Sequence, residues 1–205
     1  MFRYRIAKPG TDDLDSWHRL RTRLYLDAGL ITPSDIDQES GLFVDVYDDH
    51  SVHLLAANDD DLDIGCMRMI EPGTGRTLPV TDLFGIDLLP HAWEVSAGAV
   101  EPQYRKSPVL LGFYRALFSL AEERGYENVY GIVEQPVLQA SLSSGLPIEV
   151  VSEPRFVFHA MNVATLIRRS SMVALIESGD VPAFSAYFRK PFDWTLSLDD
   201  LNPVG

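Results

Sequence analysis

Apolar positions change period along this chain, and the changes divide it into elements. Phe2, Tyr4 and Ile6 alternate with Arg3 and Arg5, the period of a short half-buried strand, and Pro9-Gly10 ends it. Leu14, Trp17, Leu20, Leu24 and Tyr25 then recur at helical spacing. Thr11 stands at the cap position of this helix, Asp12 and Asp13 fill its first turn, where the helix dipole favours acid, and Gly29 supplies a stop. Pro33-Ser34-Asp35 opens a weaker helix or an ordered loop before Gly41. Residues 52–57 and 64–70 read as strands joined by a turn at 58–61. Gly73, Gly75, Pro79 and Pro90 make residues 71–90 mostly loop, with one helical turn near Asp82-Leu83-Phe84.

Residues 93–100 form the next strand, followed by a polar, basic turn up to Pro108. The clearest helix is 109–124, with Leu110, Phe113, Leu117, Leu120 and Ala121 as its apolar stripe and Gly125 at its end. A strand at 128–133, a helix at 136–144 stopped by Gly145, and a hairpin of 148–151 with 157–163 follow. Beyond Ala164 one helix, 171–178, precedes Pro182, Pro191 and Pro203 among aromatic residues. This order predicts an α/β fold with a mixed sheet flanked by helices, the helix after strand 93–100 lying on its face.

Composition narrows the function. The length, 205 residues, suits one well-buried domain. No apolar run approaches the ~20 residues that a membrane span needs, and Met1-Phe2-Arg3-Tyr4-Arg5 lacks the apolar region of a secretory signal. The single cysteine, Cys66, excludes an internal disulfide framework and suits a reducing compartment, so the expected location is cytoplasmic. The net charge of -13 argues against nucleic-acid binding, which needs a basic footprint. An acidic partner would also be repelled unless a local basic patch receives it. Such patches remain around Arg105-Lys106, Arg115 and Arg168-Arg169.

Candidate chemistry concentrates in residues 45–68 and 93–96. Asp45 and Asp48 flank Tyr47 at the mouth of a strand, and Arg68 lies in an otherwise apolar one. Charges in such places are costly unless they meet a partner or a ligand. Glu94 and Ser96, two apart on one strand, face the same side of the sheet, and Val95 faces the other. Glu94 reads either as a general base raised in pKa by partial burial or as the structural ion-pair partner of Arg68. Asp45 and Asp48 read as holding an ammonium group, as a charge network with Arg21 and Arg68, or as a solvated turn. His50 and His53 lack the further ligands that zinc requires, so no metal is expected. Cys66 reads as a small buried hydrophobe.

These residues resemble one branch of the GNAT acyltransferases, the acyl-homoserine-lactone synthases and N-acyl amino acid synthases. Arg21 followed by Tyr25 is similar to the branch's Arg-x-x-x-aromatic pair, and Asp45-Val46-Tyr47-Asp48 to its Asp-x-(Phe/Tyr)-Asp turn. Ser51-x-His53-Leu54-Leu55-Ala56 resembles the N-acyl amino acid synthase side. Arg68 and Trp93-Glu94-Val95-Ser96 fall where the branch has an arginine and a Trp-Glu-(Leu/Val)-Ser stretch. The match covers roughly residues 4–150. Ala97 stands where the branch carries arginine, and Ile31 where lactone synthases carry tryptophan; both point away from lactone synthesis.

The resemblance implies a single GNAT-like domain over residues 1–163, with 164–205 as an extension packed on it. It implies transfer of a fatty acyl group from an acyl-carrier-protein or acyl-CoA thioester, a co-substrate rather than a bound cofactor, to the amine of an amino acid or related small molecule. The alternatives are a lactone synthase using S-adenosylmethionine and a non-catalytic acyl-binding module. Glu94 and Ser96 would be catalytic, and Arg21, Tyr25, Asp45, Asp48 and Arg68 would shape the acceptor side. Val95, Gly98, Val100, Arg105, Lys106 and Ser107 would meet the donor, held where two strands splay apart. The donor turn is poor in glycine, which modestly favours an acidic carrier protein as partner, and Ser141 stands where many relatives have an acidic tyrosine. Phe113, Phe118, Leu138, Leu142, Phe156 and Phe158 suit either an acyl tunnel or a core. The aromatic tail (Phe184, Tyr187, Phe188, Phe192, Trp194) either covers the acceptor pocket or forms a dimer contact, leaving monomer and homodimer both open.

Overall fold

A computed structural model of the chain describes residues 2–73, 75–143 and 145–189. In chain order its elements are β1 (Arg3–Ala7), α1 (Asp12–Asp27), β2 (Ser51–Ala57), β3 (Asp63–Ile70), α2 (Pro79–Phe84) and β4 (Ala92–Val100). Next come α3 (Val109–Glu123), β5 (Asn128–Glu134), α4 (Gln135–Ser143), β6 (Glu149–Val150), β7 (Arg155–Val157), β8 (Ala160–Arg168), α5 (Arg169–Ser178) and α6 (Pro182–Arg189). The sheet is mixed: β1 to β4 form an antiparallel meander, β5 lies parallel to β4, and β8 antiparallel to β5. β6 and β7 both pair with β8.

Alternation along the strands divides the interior in two. Leu54, Met67, Met69 and Trp93 face α3, whose Val109, Phe113, Ala116, Leu117 and Leu120 are buried against them. At roughly 1.5–3 kcal/mol for each large apolar side chain removed from water, this stripe is the main hold of α3 on the sheet. The opposite face packs Leu55 and Cys66 under Trp17, Leu20 and Leu24 of α1, and Ile70, Ala92 and Tyr130 under Val80 and Phe84 of α2.

Two departures from regular pairing shape the centre. Cys66 pairs with Ala99 and Arg68 with Ser96, so Ala97 and Gly98 together oppose Met67 in a β-bulge. Ala97 takes φ +53°, the left-handed region in which a Cβ is unfavourable. β4 and β5 pair only from Ala92–Asn128 to Val95–Gly131. Beyond that point β4 continues along β3 to Val100, and β5 along β8 to Glu134. The two strands therefore part at the middle of the sheet.

Several expectations need correction. Residues 148–151 and 157–163 do not pair with each other; β6 meets Thr165 and Leu166, while β7 turns directly into β8. Val163 and Ala164, on either side of the expected division, are consecutive residues of β8, opposite Val133 and Ile132. Leu166, Ala164 and Val163 are all buried in the sheet. Leu110 is 37% exposed, and Val109 and Ala116 complete the stripe of α3 in its place. Thr11 turns its hydroxyl to the Lys8 carbonyl and caps nothing with its side chain. Phe192 and Trp194 lie outside the described residues.

Candidate active site

The expected acceptor residues converge on the α1 face of the sheet. Arg21 shares the inward stripe of α1 with Trp17, Leu20 and Leu24 and is itself 0% exposed. A guanidinium so placed must be matched, and Asp48 matches it through both oxygens, at 3.1 Å from Nη1 and 2.7 Å from Nη2. Nη2 also donates to the Phe43 carbonyl at 2.6 Å, and the guanidinium lies over the rings of Trp17 and Phe43. Tyr25, one turn along α1, faces Phe43 with ring centroids 6.1 Å apart.

Arg68 reaches the same carboxylate from β3. Its Nη1 donates to Asp48 Oδ1 at 2.5 Å and to Asp45 Oδ1 at 2.7 Å, and its Nε to Ser96 Oγ at 2.9 Å. The backbone supports the turn: the Asp45 N–H donates to Asp48 Oδ2 and the Tyr47 N–H to Asp45 Oδ1. Burial alone would raise Asp48, but His53, Arg21 and Arg68 outweigh it and hold the carboxyl well below the usual range. Two guanidiniums and two carboxylates are thus balanced. Only Asp45, with 23% of its side chain exposed, offers an open edge.

Glu94 is not the ion-pair partner of Arg68. It is 0% exposed, its Oε2 accepts the Val80 N–H at 2.9 Å, and its Oε1 has no partner among the described residues. Arg68 is already committed to Asp45, Asp48 and Ser96. Burial pushes Glu94 up from 4.5 to about 8, against the lowering influence of the Val80 N–H and of the Arg68 charge. Ser96, on the same face, uses its oxygen to accept from Arg68, which leaves its own proton free to donate.

Alternation puts Val95, and the bulge puts Gly98 and Val100, on the other face. Val95 and Val100 pack against the core under α3, and a Cβ on Gly98 would stand 3.1 Å from Met67 Cε. Arg105 and Lys106 are exposed in the turn leading to α3; Arg105 donates to the Val100 carbonyl and Ser107 to the Tyr104 carbonyl. Ser141 is half-buried on α4, and Tyr130 is a core residue whose hydroxyl accepts the Leu89 N–H. Phe113 and Leu138 are core, while Phe156 is 69% and Phe158 49% exposed at the β7–β8 turn. Cys66 is buried, with its thiol pushed up to about 12.

Three contributors were missed in the sequence. His53 Nε2 donates to Asp48 Oδ1 at 3.3 Å, and burial lowers its pKa, so the neutral ring carries its proton there. Its signal was a polar side chain on the core face of an apolar strand. Trp17, whose indole donates to the Met67 carbonyl opposite the bulge, reads from sequence only as core. The Val80 N–H at the start of α2 leaves no trace in composition beyond Pro79.

The fold is GNAT-like. The model of the N-acyl amino acid synthase FeeM family matches residues 16–168, and the chain belongs to that family, whose activity is N-acyl transfer. No curated protein matches the chain in sequence. Among solved structures, the CoA-dependent acyl-homoserine lactone synthase BjaI, with SAM and isopentyl-CoA, is similar at TM-score 0.66 and 22% identity, covering 87% of this chain and 88% of that one. The AHL synthase LasI gives TM-score 0.66 at 18% identity, over 82% and 90%. FeeM from uncultured soil microbes gives 0.62 at 15% identity, over 83% and 93%. Among the described residues no helix is long and apolar enough to cross a membrane.

Proposed function

We propose that the enzyme moves a fatty acyl group from the thioester of an acyl carrier protein, or of coenzyme A, to the amine of an amino acid or related small molecule. The observation that carries this reading is Glu94: a fully buried carboxyl with one oxygen unpartnered, on β4 one residue before its pairing with β5 ends. Burial lifts its pKa to about 8, which narrows the gap to the higher pKa of an amino acid's α-ammonium group and makes its carboxylate a better proton acceptor than an ordinary glutamate. Glu94 takes a proton from the acceptor ammonium and passes it to solvent, and the freed amine attacks the thioester carbon. The nitrogen of the tetrahedral intermediate then gives up a second proton to the Glu94 carboxylate, the carbon–sulfur bond breaks, and that second proton leaves with the thiol.

Asp45 offers its exposed edge to the ammonium group, and Arg21, Asp48, Arg68 and His53 fix that edge in place. Ser96 directs its free proton at the oxygen of the tetrahedral intermediate, beside the backbone of residues 95–98. The turn at Arg105, Lys106 and Ser107 receives the carrier, and the location that fits such a donor is the cytoplasm. Mass spectrometry of the protein with acyl-loaded carrier, acyl-CoA and a pool of amino acids, amines and S-adenosylmethionine tests the reading. An N-acyl amino acid is the expected product. A lactone formed from S-adenosylmethionine would move the enzyme to the lactone branch, and no transfer from either donor would overturn the proposal.

A further inference from the structure

Two parts of the site come from segments well apart in the chain. The turn at 45–48 offers the open edge of Asp45, and the first turn of α2 holds Glu94 through the Val80 N–H. Leu78 and Val80 are fully buried, which sets how deep that turn of α2 lies. Apolar packing is non-directional, however, and does not fix its rotation. A directional contact has to set the one part against the other.

Asp82 supplies it. It lies on α2 two residues after Val80, exposed, and its Oδ2 accepts two hydroxyl bonds, from Tyr47 at 2.7 Å and from Thr77 at 2.6 Å. Tyr47 belongs to the acidic turn itself. Its N–H donates to Asp45 Oδ1 at 2.9 Å, its carbonyl accepts from Ser51 Oγ at 2.6 Å, and its ring lies 5.9 Å from the Arg68 guanidinium. Thr77 lies two residues before α2. One carboxylate oxygen therefore ties together the acceptor turn, the entry to α2 and the helical turn that carries the Val80 N–H.

We propose that Asp82 is a positioning residue, which fixes the acceptor's nitrogen against Glu94 by holding Tyr47 and Thr77 to α2. This rests on the acyl-transfer reading above, in which Asp45 receives the ammonium group and Glu94 its proton. The Val80 N–H of α2 and the Arg68 guanidinium of β3 lower the pKa of Glu94, and the Asp82 carboxylate raises it. Tyr130, opposite Glu94 on β5, has its hydroxyl on the Leu89 N–H, and burial and Asp82 keep Tyr47 a neutral phenol. Charge and tether can therefore be separated. Asp82→Asn keeps an oxygen for both hydroxyls but removes the charge, so the midpoint of kcat/KM against pH should fall by about half a unit. Tyr47→Phe with Thr77→Val keeps the charge and removes both bonds. Its kcat should fall roughly tenfold, and its midpoint should rise as the Val80 N–H loosens its hold. Midpoints that stay where they are, or move the same way in both variants, overturn the proposal, since structural damage alone lowers a rate without driving them apart.

A second measurement needs no turnover. The Glu94 carboxyl is titrated by NMR in protein carrying carboxyl-labelled glutamate, its signal assigned by its loss in Glu94→Gln. The midpoint, about 8 in the unaltered protein, should move down in Asp82→Asn and up in Tyr47→Phe alone, which keeps the Thr77 bond and serves where the double variant does not fold. Opposite shifts in a protein that transfers no acyl group refute the reaction and leave the tether standing. Acyl transfer with no shift in either variant refutes the tether and leaves the reaction.

Discussion

At the scale of single residues, Asp48 and Glu94 show opposite solutions to burial. Asp48 is surrounded by donors and stays charged; Glu94 has one, and is driven toward its neutral form. Removing Asp48 leaves Arg21 and Arg68 buried against each other, so Asp48→Ala should lose about 3–5 kcal/mol in urea unfolding. Because its folded pKa is depressed, the stability that Asp48 contributes is present above the unfolded carboxylate value and disappears as pH falls below it. Glu94 runs the other way: with a folded pKa of about 8 against 4.5, its contribution is complete at acid pH and is lost as pH rises from 4.5 to 8. Glu94→Gln should flatten that slope in thermal unfolding measured across the same pH range. In the native enzyme, kcat/KM should climb toward pH 8 as the carboxylate forms, and the glutamine variant should lose this rise together with at least a hundredfold in rate. A rate unchanged by the substitution would exclude Glu94 as the base.

At the scale of elements, what the sequence revealed was what depends on short-range period. The stripe of α3, the β2–β3 hairpin and the shared face of Glu94 and Ser96 all follow from spacing alone. The bulge did not, because nothing in Ala97-Gly98 announces that the alanine takes the left-handed conformation. Nor did the fate of Glu94: Arg68 looked like its partner until pairing across strands placed Arg68 against Ser96. The pairing of β8 was hidden for the same reason, since Thr165 and Leu166 give no sign that they meet β5 on one side and β6 on the other. Ala97→Gly relieves the strained φ and should raise stability by about 1 kcal/mol without loss of activity. Gly112→Ala should do the reverse. Its Cβ would fall 1.9 Å from the Tyr4 hydroxyl oxygen, so β1 and α3 must separate, at about 1–3 kcal/mol in guanidinium unfolding.

At the scale of the whole molecule, charge governs how an acidic donor would approach. With a net charge of -13, the enzyme repels an acidic carrier everywhere except at a local basic site. Arg105→Glu with Lys106→Glu should therefore raise KM for a carrier-bound acyl group about tenfold or more at low salt, and leave KM for the same acyl group on free pantetheine unchanged. Equal effects on both donors would remove the turn from the docking surface. The extra residue in β4 has its own consequence at this scale. It reverses the alternation of the strand, so Glu94 and Ser96 look out of one side of the sheet while Gly98 and Val100 look out of the other. Under the proposed function, with the donor on one side and the amine on the other, neither need wait for the other to leave. Initial rates should then give intersecting lines, the signature of both substrates bound together, rather than the parallel lines of an acyl-enzyme. Through one bulge, a wall between two compartments becomes the place where they meet.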